Sequence, residues 1–257
     1  MASAHHPALV KAFRFVAPII DPRKTWRGLR EYPRFFLEVF RYRRMMKAAQ
    51  RKERWELYPS LHERTSTSSF DAHYCYMGFW ATQRLAERPG DDHIDVASQI
   101  SWVMNVAATR RVRFVDIRPF ETYLPTLTVE AGTVLALPFA DKSLSSVSCL
   151  HVVEHVGLGR YGDPMDPLGS EKAIIELARV LAPGGRLLFA VPVGRERVCF
   201  NAHRMLAPKT VIDLFAAEGL RLSSFAGVSD DREYRDGIAP EIFANADFAL
   251  VLFEFVR

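Results

Sequence analysis

The segment from Cys149 to Pro167, CLHVVEHVGLGRYGDPMDP, concentrates groups that can move protons: His151, Glu154, His155, Arg160, Tyr161, Asp163 and Asp166. A neutral imidazole accepts a proton near pH 7, and a carboxylate bonded to it fixes its orientation and stabilises the imidazolium that forms. His155 and His151 are the candidate bases, and Glu154 and Asp163 the candidate carboxylates behind them. Two letter patterns in the same segment suggest other chemistry. HVVEH at 151–155 spells a zinc-protease motif, which needs its histidines one helical turn apart. His151 instead ends an alternating run, SSVSCLHV, and Gly157 and Gly159 interrupt any helix that starts near Val153. GLGRYG at 157–162 spells a dinucleotide fingerprint, which works where it follows a first strand and opens a long helix. This copy follows a later strand and runs into DPMDP, where Pro164 and Pro167 prevent helix propagation. The loop therefore serves to place side chains. Asp163 and Asp166, each beside a proline, equally fit a turn-fixing role.

The elements that must position these groups alternate regularly. HIDVAS, RVRFVDIRP, TLTVEAG, LSSVSCLHV, RLLFAVPVG, RLSSFAGVS and DFALVLFEFV read as strands. ISWVMNVAAT, GSEKAIIELARVLAPGG and APKTVIDLFAAEGL read as helices between them, and FDAHYCYMGFWATQRLAE as a helix before them. Such alternation implies a Rossmann-like, doubly wound and mostly parallel sheet of seven strands. Two final strands with no helix between them imply an antiparallel strand at one edge. Ligands bind such sheets at the carboxyl ends of the strands, where the polar loop lies and where Asn201, His203 and Arg204 follow the fifth strand.

The three cysteines, Cys75, Cys149 and Cys199, stand far apart, which argues for a reducing, cytoplasmic compartment and against a disulfide framework or a cysteine zinc site. No defined set of metal ligands stands out, although the loop's His and Asp groups have the chemistry to bind a divalent metal. No apolar run reaches the ~20 residues of a membrane span. ALVKAFRFVAPII, broken by Lys11 and Arg14, is a poor signal peptide. The charge is uneven: residues 1–60 carry a net +9 and the remainder a net −5. Residues 1–60 read as a basic extension of helices interrupted by Pro7, Pro18, Pro22 and Pro33, ahead of an α/β domain at 61–257. Within it, Phe35, Val39, Tyr42 and Met46 share one helical stripe with Phe36 and Phe40 alongside. A basic amphipathic helix of this kind either lies peripherally on an anionic membrane, here on the inner face, or packs on its own domain. No nucleic-acid motif accompanies the charge.

LPF at 137–139, VEH at 153–155 and LAPGG at 181–185 resemble, in order and spacing, the core of class I S-adenosylmethionine-dependent methyltransferases. YPSLHERTSTSSFDAHY, HVVEHVGLGRYGDPMDP and VPVGRERVCFNAHR further resemble the uncharacterised methyltransferase-like family called domain of unknown function 268. The resemblance implies S-adenosylmethionine as cofactor. It puts Asp95 and then Ala97, Gln99 and Ser101 at the positions of the family's glycine-rich turn, where a Gln99 side chain would crowd the methionine moiety or replace a contact to it. It makes Asp116 the acceptor for the two ribose hydroxyls and sets Thr133, with Val134, at the adenine. The reaction it implies is O-methylation of a sugar or glycan in surface polysaccharide biosynthesis. His155 or His151 would deprotonate the acceptor, and Arg160, Tyr161, Asn201, His203 and Arg204 would bind it. Two alternatives remain: a non-catalytic domain of this fold that binds a glycan, lipid or protein, and a metal-using enzyme of another class.

Overall fold

The computed structural model describes residues 21–88 and 92–257, and the chain divides into two compact units after Ser69. The breaks read at Pro7 and Pro18 lie outside the described residues.

In the first unit, helix α1 spans Pro22–Ala48. The Asp21 carboxylate caps it by accepting from the Arg23 and Lys24 amides at 3.0 and 3.2 Å. Pro22 occupies the start of the helix, where a missing N–H leaves no bond unmade. Pro33 does not interrupt the helix as its type suggested; it sits inside it. Its ring removes one backbone bond, while the adjacent turns are tied by Arg34 to Glu31 and Glu38 at 3.2 and 3.1 Å. The chain after α1 returns along it without regular structure, placing Trp55 under the Arg43 guanidinium at 4.3 Å and His62 beside the buried Gly28.

The second unit begins with α2 (Ala72–Ala86), capped by the Asp71 side chain at the Tyr74 amide. Then come β1 (His93–Val96), α3 (Ile100–Ala107), β2 (Val112–Asp116), β3 (Leu127–Ala131) and β4 (Leu144–Leu150). After the polar loop follow α4 (Gly169–Val180), β5 (Leu181–Val193), a hairpin of β6 (Arg197–Cys199) and β7 (His203–Met205), and α5 (Pro208–Ala217). The chain closes with β8 (Arg221–Val228), β9 (Tyr234–Asp236) and β10 (Ala249–Val256).

The strands lie in the order β3-β2-β1-β4-β5-β10-β8-β9, with β6 and β7 forming a separate ribbon. Pairings from β3 through β5 are parallel. β10 lies inside the sheet, antiparallel to β5 and β8, and β9 forms the antiparallel edge. All seven expected strands are present in this doubly wound, Rossmann-like sheet, and β9 is an eighth. Helices cover both faces. Val147, Cys149, Phe189 and Phe253 pack with Ile174 and Leu177 of α4 and Phe215 of α5. Leu150, Leu188 and Leu252, one residue out of phase on the same strands, pack with Trp80 of α2 and Trp102 of α3. Burial on both faces explains why these strands are continuous apolar runs. Because β1 turns outward to β2 on one side and meets β4 on the other, the ends of β1 and β4 open a crevice between their following loops.

Candidate functional site

The crevice is a cavity of about 440 Å³, within the size range of small-molecule sites. Ala97 lies at the end of β1, Asp116 at the end of β2 and Thr133 and Val134 after β3; all line it, together with His151, His155, Tyr161 and Asp163 from the far side. Ile117, Val134 and Leu135 give it apolar walls, and the Asp116 carboxylate is the acidic group at its β2 side. One Asp116 oxygen accepts the Arg118 amide at 2.7 Å, which fixes the turn. The other has no partner among the described residues. Thr133 Oγ1 accepts the Leu135 amide at 3.2 Å. A carboxylate above an apolar slot suits a vicinal diol joined to a planar ring.

The turn after β1 is built from polar bonds in place of glycines. Ala97 adopts a left-handed φ of 57°, and the Ser98 amide donates to Asp95 Oδ1 at 2.9 Å. Ser98 Oγ accepts the Leu150 amide at 3.0 Å, tying the turn to the end of β4. Asp95 itself does not reach the cavity. It is fully buried and accepts the Ser148 hydroxyl, and Ser148 in turn lies 2.8 Å from His93 Nε2. The single Ser148 proton goes to Asp95, so His93 donates from Nε2 and accepts the Ser146 hydroxyl at Nδ1, 2.9 Å away. Burial pushes Asp95 up to about 6 and His93 down to about 3. Gln99, expected to crowd or contact the cofactor, sits at the N-cap of α3 with its side chain exposed to solvent and stands outside the cavity lining.

The opposite wall is the polar loop. Val153–His155 form one 3-10 turn, so His151 and His155 do not share an α-helical face. Val153 is buried in the core and pins this turn, and its carbonyl accepts the Ser170 hydroxyl at 2.8 Å. Glu154 is carried inward and is fully buried between the histidines. His151 Nδ1 lies 2.6 Å from Glu154 Oε1, and an ionised carboxylate only accepts, so the proton sits on Nδ1. His151 Nε2 is buried and without a protein partner, and in the neutral ring it carries the lone pair. His155 also uses Nδ1 as its bonded nitrogen but differs at Nε2. Its Nδ1 donates to the Ala202 carbonyl at 2.6 Å, and its Nε2 is 3.6 Å from Glu154. Burial works to raise the Glu154 carboxyl, but His151, ahead of His155, outweighs it and holds it below the ordinary glutamate range. Burial also lowers His155 and His203 and brings His73 to about 4. The loop thus groups imidazoles around one buried carboxylate, and burial favours the neutral form of His155, His203 and His73.

The remaining expected residues divide. Arg160 reaches the Ala202 carbonyl at 2.9 Å and stacks on Tyr161 at 5.1 Å. His203 is half-buried with its ring tilted against Phe248 at 5.1 Å, and Asn201 is exposed in the hairpin turn. Arg204, expected to bind the methyl acceptor, is engaged by the loop itself. It is buried and donates to the Val156 carbonyl, to Ser170 Oγ at 3.2 Å and to the Asp166 carbonyl at 2.9 Å, so its charge holds the loop. Asp163, expected to orient a histidine, accepts the Gly157 and Tyr161 amides at 2.6 and 3.3 Å. Gly157, at φ 78°, has no room for a side chain, since a Cβ would stand 2.2 Å from the Asp166 carbonyl oxygen. Three contributors lay outside the sequence reading. Arg118 stacks on Tyr161 at 4.3 Å, while Tyr74 and His73 of α2 stack on the His151 ring at 5.1 and 5.9 Å. Arg118 had one signal, its place two residues after Asp116; the α2 residues had none. Among the described residues no three His, Cys, Asp or Glu side chains are grouped to hold a metal ion.

Residues 139–233 match the family described as Caenorhabditis protein of unknown function, DUF268, a stretch from β4 through β8 that includes the polar loop and the hairpin. No curated protein matches the chain. Among solved structures, the [4+2]-cyclase SpnF is similar with a TM-score of 0.53 at 16% identity, over 71% of this chain and 80% of that one. Geranyl diphosphate methyltransferase in complex with SAM gives 0.51 at 12% identity, over 71% and 84%. Geranyl diphosphate C-methyltransferase from Streptomyces coelicolor A3(2), in complex with Mg2+, geranyl diphosphate and S-adenosyl-L-homocysteine, gives 0.50 at 12%, over 72% and 79%. The chain therefore has the fold of class I methyltransferases. The cyclase among these neighbours makes the reaction a question for the site.

Proposed function

We propose that this protein is an S-adenosylmethionine-dependent methyltransferase that methylates a hydroxyl of a sugar or glycan in surface polysaccharide biosynthesis, with His151 as its general base. One observation carries the reading: His151 is bonded through Nδ1 to a buried Glu154, keeps a buried Nε2 with no protein partner, and lines a cavity that Asp116 also lines. The residues present fit the cofactor. Asp116 would accept from the ribose hydroxyls, Ile117, Val134 and Leu135 would enclose the adenine, and the Ala97 turn would border the methionine moiety without obstruction from Gln99.

When bound, the cofactor supplies a methyl group already activated on a sulfonium. What is asked of the protein is alignment of the acceptor and removal of its proton. The acceptor hydroxyl proton passes to His151 Nε2 as its oxygen becomes the nucleophile, and Glu154 stabilises the resulting imidazolium across a 2.6 Å bond. His155 is placed differently, because its Nε2 faces the Glu154 carboxylate at 3.6 Å, whereas His151 Nε2 has no protein partner. It binds instead, with Tyr161 and Arg160, at the acceptor end of the cavity. Arg160 on the exposed side would hold an anionic acceptor such as a sugar nucleotide, with Asn201 and His203 beside it.

The test is transfer of labelled methyl from S-adenosylmethionine to a panel of sugar nucleotides and glycans. His151→Asn should cost about a hundredfold or more in turnover, and His155→Asn about tenfold or less, with cofactor affinity kept in both. Equal losses would remove His151 from its role. Cofactor binding without transfer to any acceptor would favour a non-catalytic binding domain.

A further inference from the structure

Helix α1 has two apolar faces, and the one legible in the sequence is the more covered. Phe35, Val39 and Met46 are half-buried, and Trp55 borders a shallow groove with Phe35 and Val39. The second face is open. Trp26, Leu29, Pro33, Phe36, Leu37 and Phe40 fall within an arc of about 100° at the helical step of 100° per residue. The five large side chains among them are 54 to 68% exposed, far more than a helix facing its own core allows. Arg23, Arg27, Arg30, Arg34 and Arg41 occupy the adjoining arc of about 60°. Over its whole length the helix carries nine Arg or Lys and only two Glu, and Arg30 and Arg41 form no ion pair among the described residues.

We infer that α1 lies in the plane of a membrane surface rich in anionic headgroups, with the Trp26–Phe40 face turned to the acyl chains. The charge pattern decides the occupant. A second copy of the chain would bring two strongly cationic helices together along this face, which like-charge repulsion opposes. A nucleic acid would answer the arginines and leave five large apolar side chains in water. An anionic bilayer answers both: a Trp, Phe and Leu face inserts below the headgroups while arginines on its flank meet lipid phosphates. From Trp26 to Phe40 the face runs about 21 Å at 1.5 Å per residue, and the chain has no described helix long and apolar enough to cross a membrane, so the helix lies on the surface. This inference is independent of the transferase reading.

The test is co-sedimentation of the full chain with phosphatidylcholine vesicles, with and without about one third phosphatidylglycerol, in low and high salt. Because residues 1–20 also hold apolar and basic side chains, the variants decide the matter. Leu37→Glu/Phe40→Glu should weaken binding to anionic vesicles at least ~10-fold, and Arg30→Glu/Arg41→Glu should abolish the preference for them over neutral vesicles. Wild-type binding should fall as salt rises. The inference is overturned if the full chain stays in the supernatant, or if Leu37→Glu/Phe40→Glu binds as well as wild type. It is equally overturned if wild type ignores vesicles but sediments as a dimer that the same double variant converts to monomer, which would give the face to a second copy.

Discussion

Ala97→Gly isolates the effect of an alanine where the resembled family has glycine. Ala97 has φ 57°, a conformation that costs an L-residue roughly 1–2 kcal/mol. Glycine adopts it freely but gives the unfolded chain extra freedom worth about 0.5–1 kcal/mol. The net is a gain of about 0.5–1 kcal/mol, or a Tm rise of a few degrees for a unit of this size. The Ala97 side chain also borders the cavity. Removing it widens the space without touching Asp116 or the Ser98–Asp95 bond, so cofactor affinity should hold or improve. Ala97→Val makes the opposite change, forcing a β-branched residue into the same backbone, and should cost about 2 kcal/mol or more. Thermal unfolding followed by circular dichroism reads both. A Tm for Ala97→Gly that falls by several degrees would show that the turn gains nothing from relief at this residue.

Two further changes probe the scaffold of the site. His93 and Asp95 titrate in opposite senses. The His93 pKa is depressed from 6.5 to about 3, so its stabilisation is complete above about 6.5 and is lost as pH falls toward 3. The Asp95 pKa is raised from 3.8 to about 6, so its stabilisation is present below about 4 and is lost as pH rises through 6. Between pH 4 and 6 the two nearly cancel in wild type. In His93→Gln the Asp95 contribution stands alone, so unfolding free energies from urea titrations should rise as pH falls through that window, with a slope differing from wild type by about 1.4 kcal/mol per pH unit. Parallel slopes would contradict the assignment. Arg204→Met removes the donor to three loop acceptors and should cost about 2–4 kcal/mol and weaken acceptor binding through a loosened 157–166 loop. A stable variant with reduced acceptor affinity alone would return Arg204 to a direct binding role.

The parts of the fold that could be read in the sequence are those with a strong periodic signal. Strands β4, β5 and β10 are buried on both faces and appear as apolar runs, and Pro183-Gly184-Gly185 bends the exposed start of β5 before its buried run, with Gly184 at φ 73°. Strands β6, β7 and β9 span three residues each and pair locally, too short to carry a period. In α1 the stripe through Phe35 masked the second apolar face, because hydrophobic residues on two sides of a helix dilute the pattern of each. At the site, chain order along the strand ends was enough to bring Ala97, Asp116, Thr133, His151 and His155 to one cavity. Direction was not readable. Whether Gln99 points in or out depends on the backbone at Ala97, and Arg204 looks like an anion ligand until the loop carbonyls that claim it are in place. What separates the two histidines was also hidden: His155 Nε2 lies 3.6 Å from Glu154, while His151 Nε2 has no protein partner.

The most direct measurement is calorimetric titration of the full chain with S-adenosylmethionine and its demethylated product, for wild type and Asp116→Ala. Saturable, one-to-one binding is expected in wild type. Asp116→Ala should lose about 10²–10³-fold, corresponding to roughly 3–4 kcal/mol for two charge-assisted hydrogen bonds to the ribose. Absence of binding at millimolar ligand, or equal affinity in the two proteins, would contradict cofactor binding at Asp116.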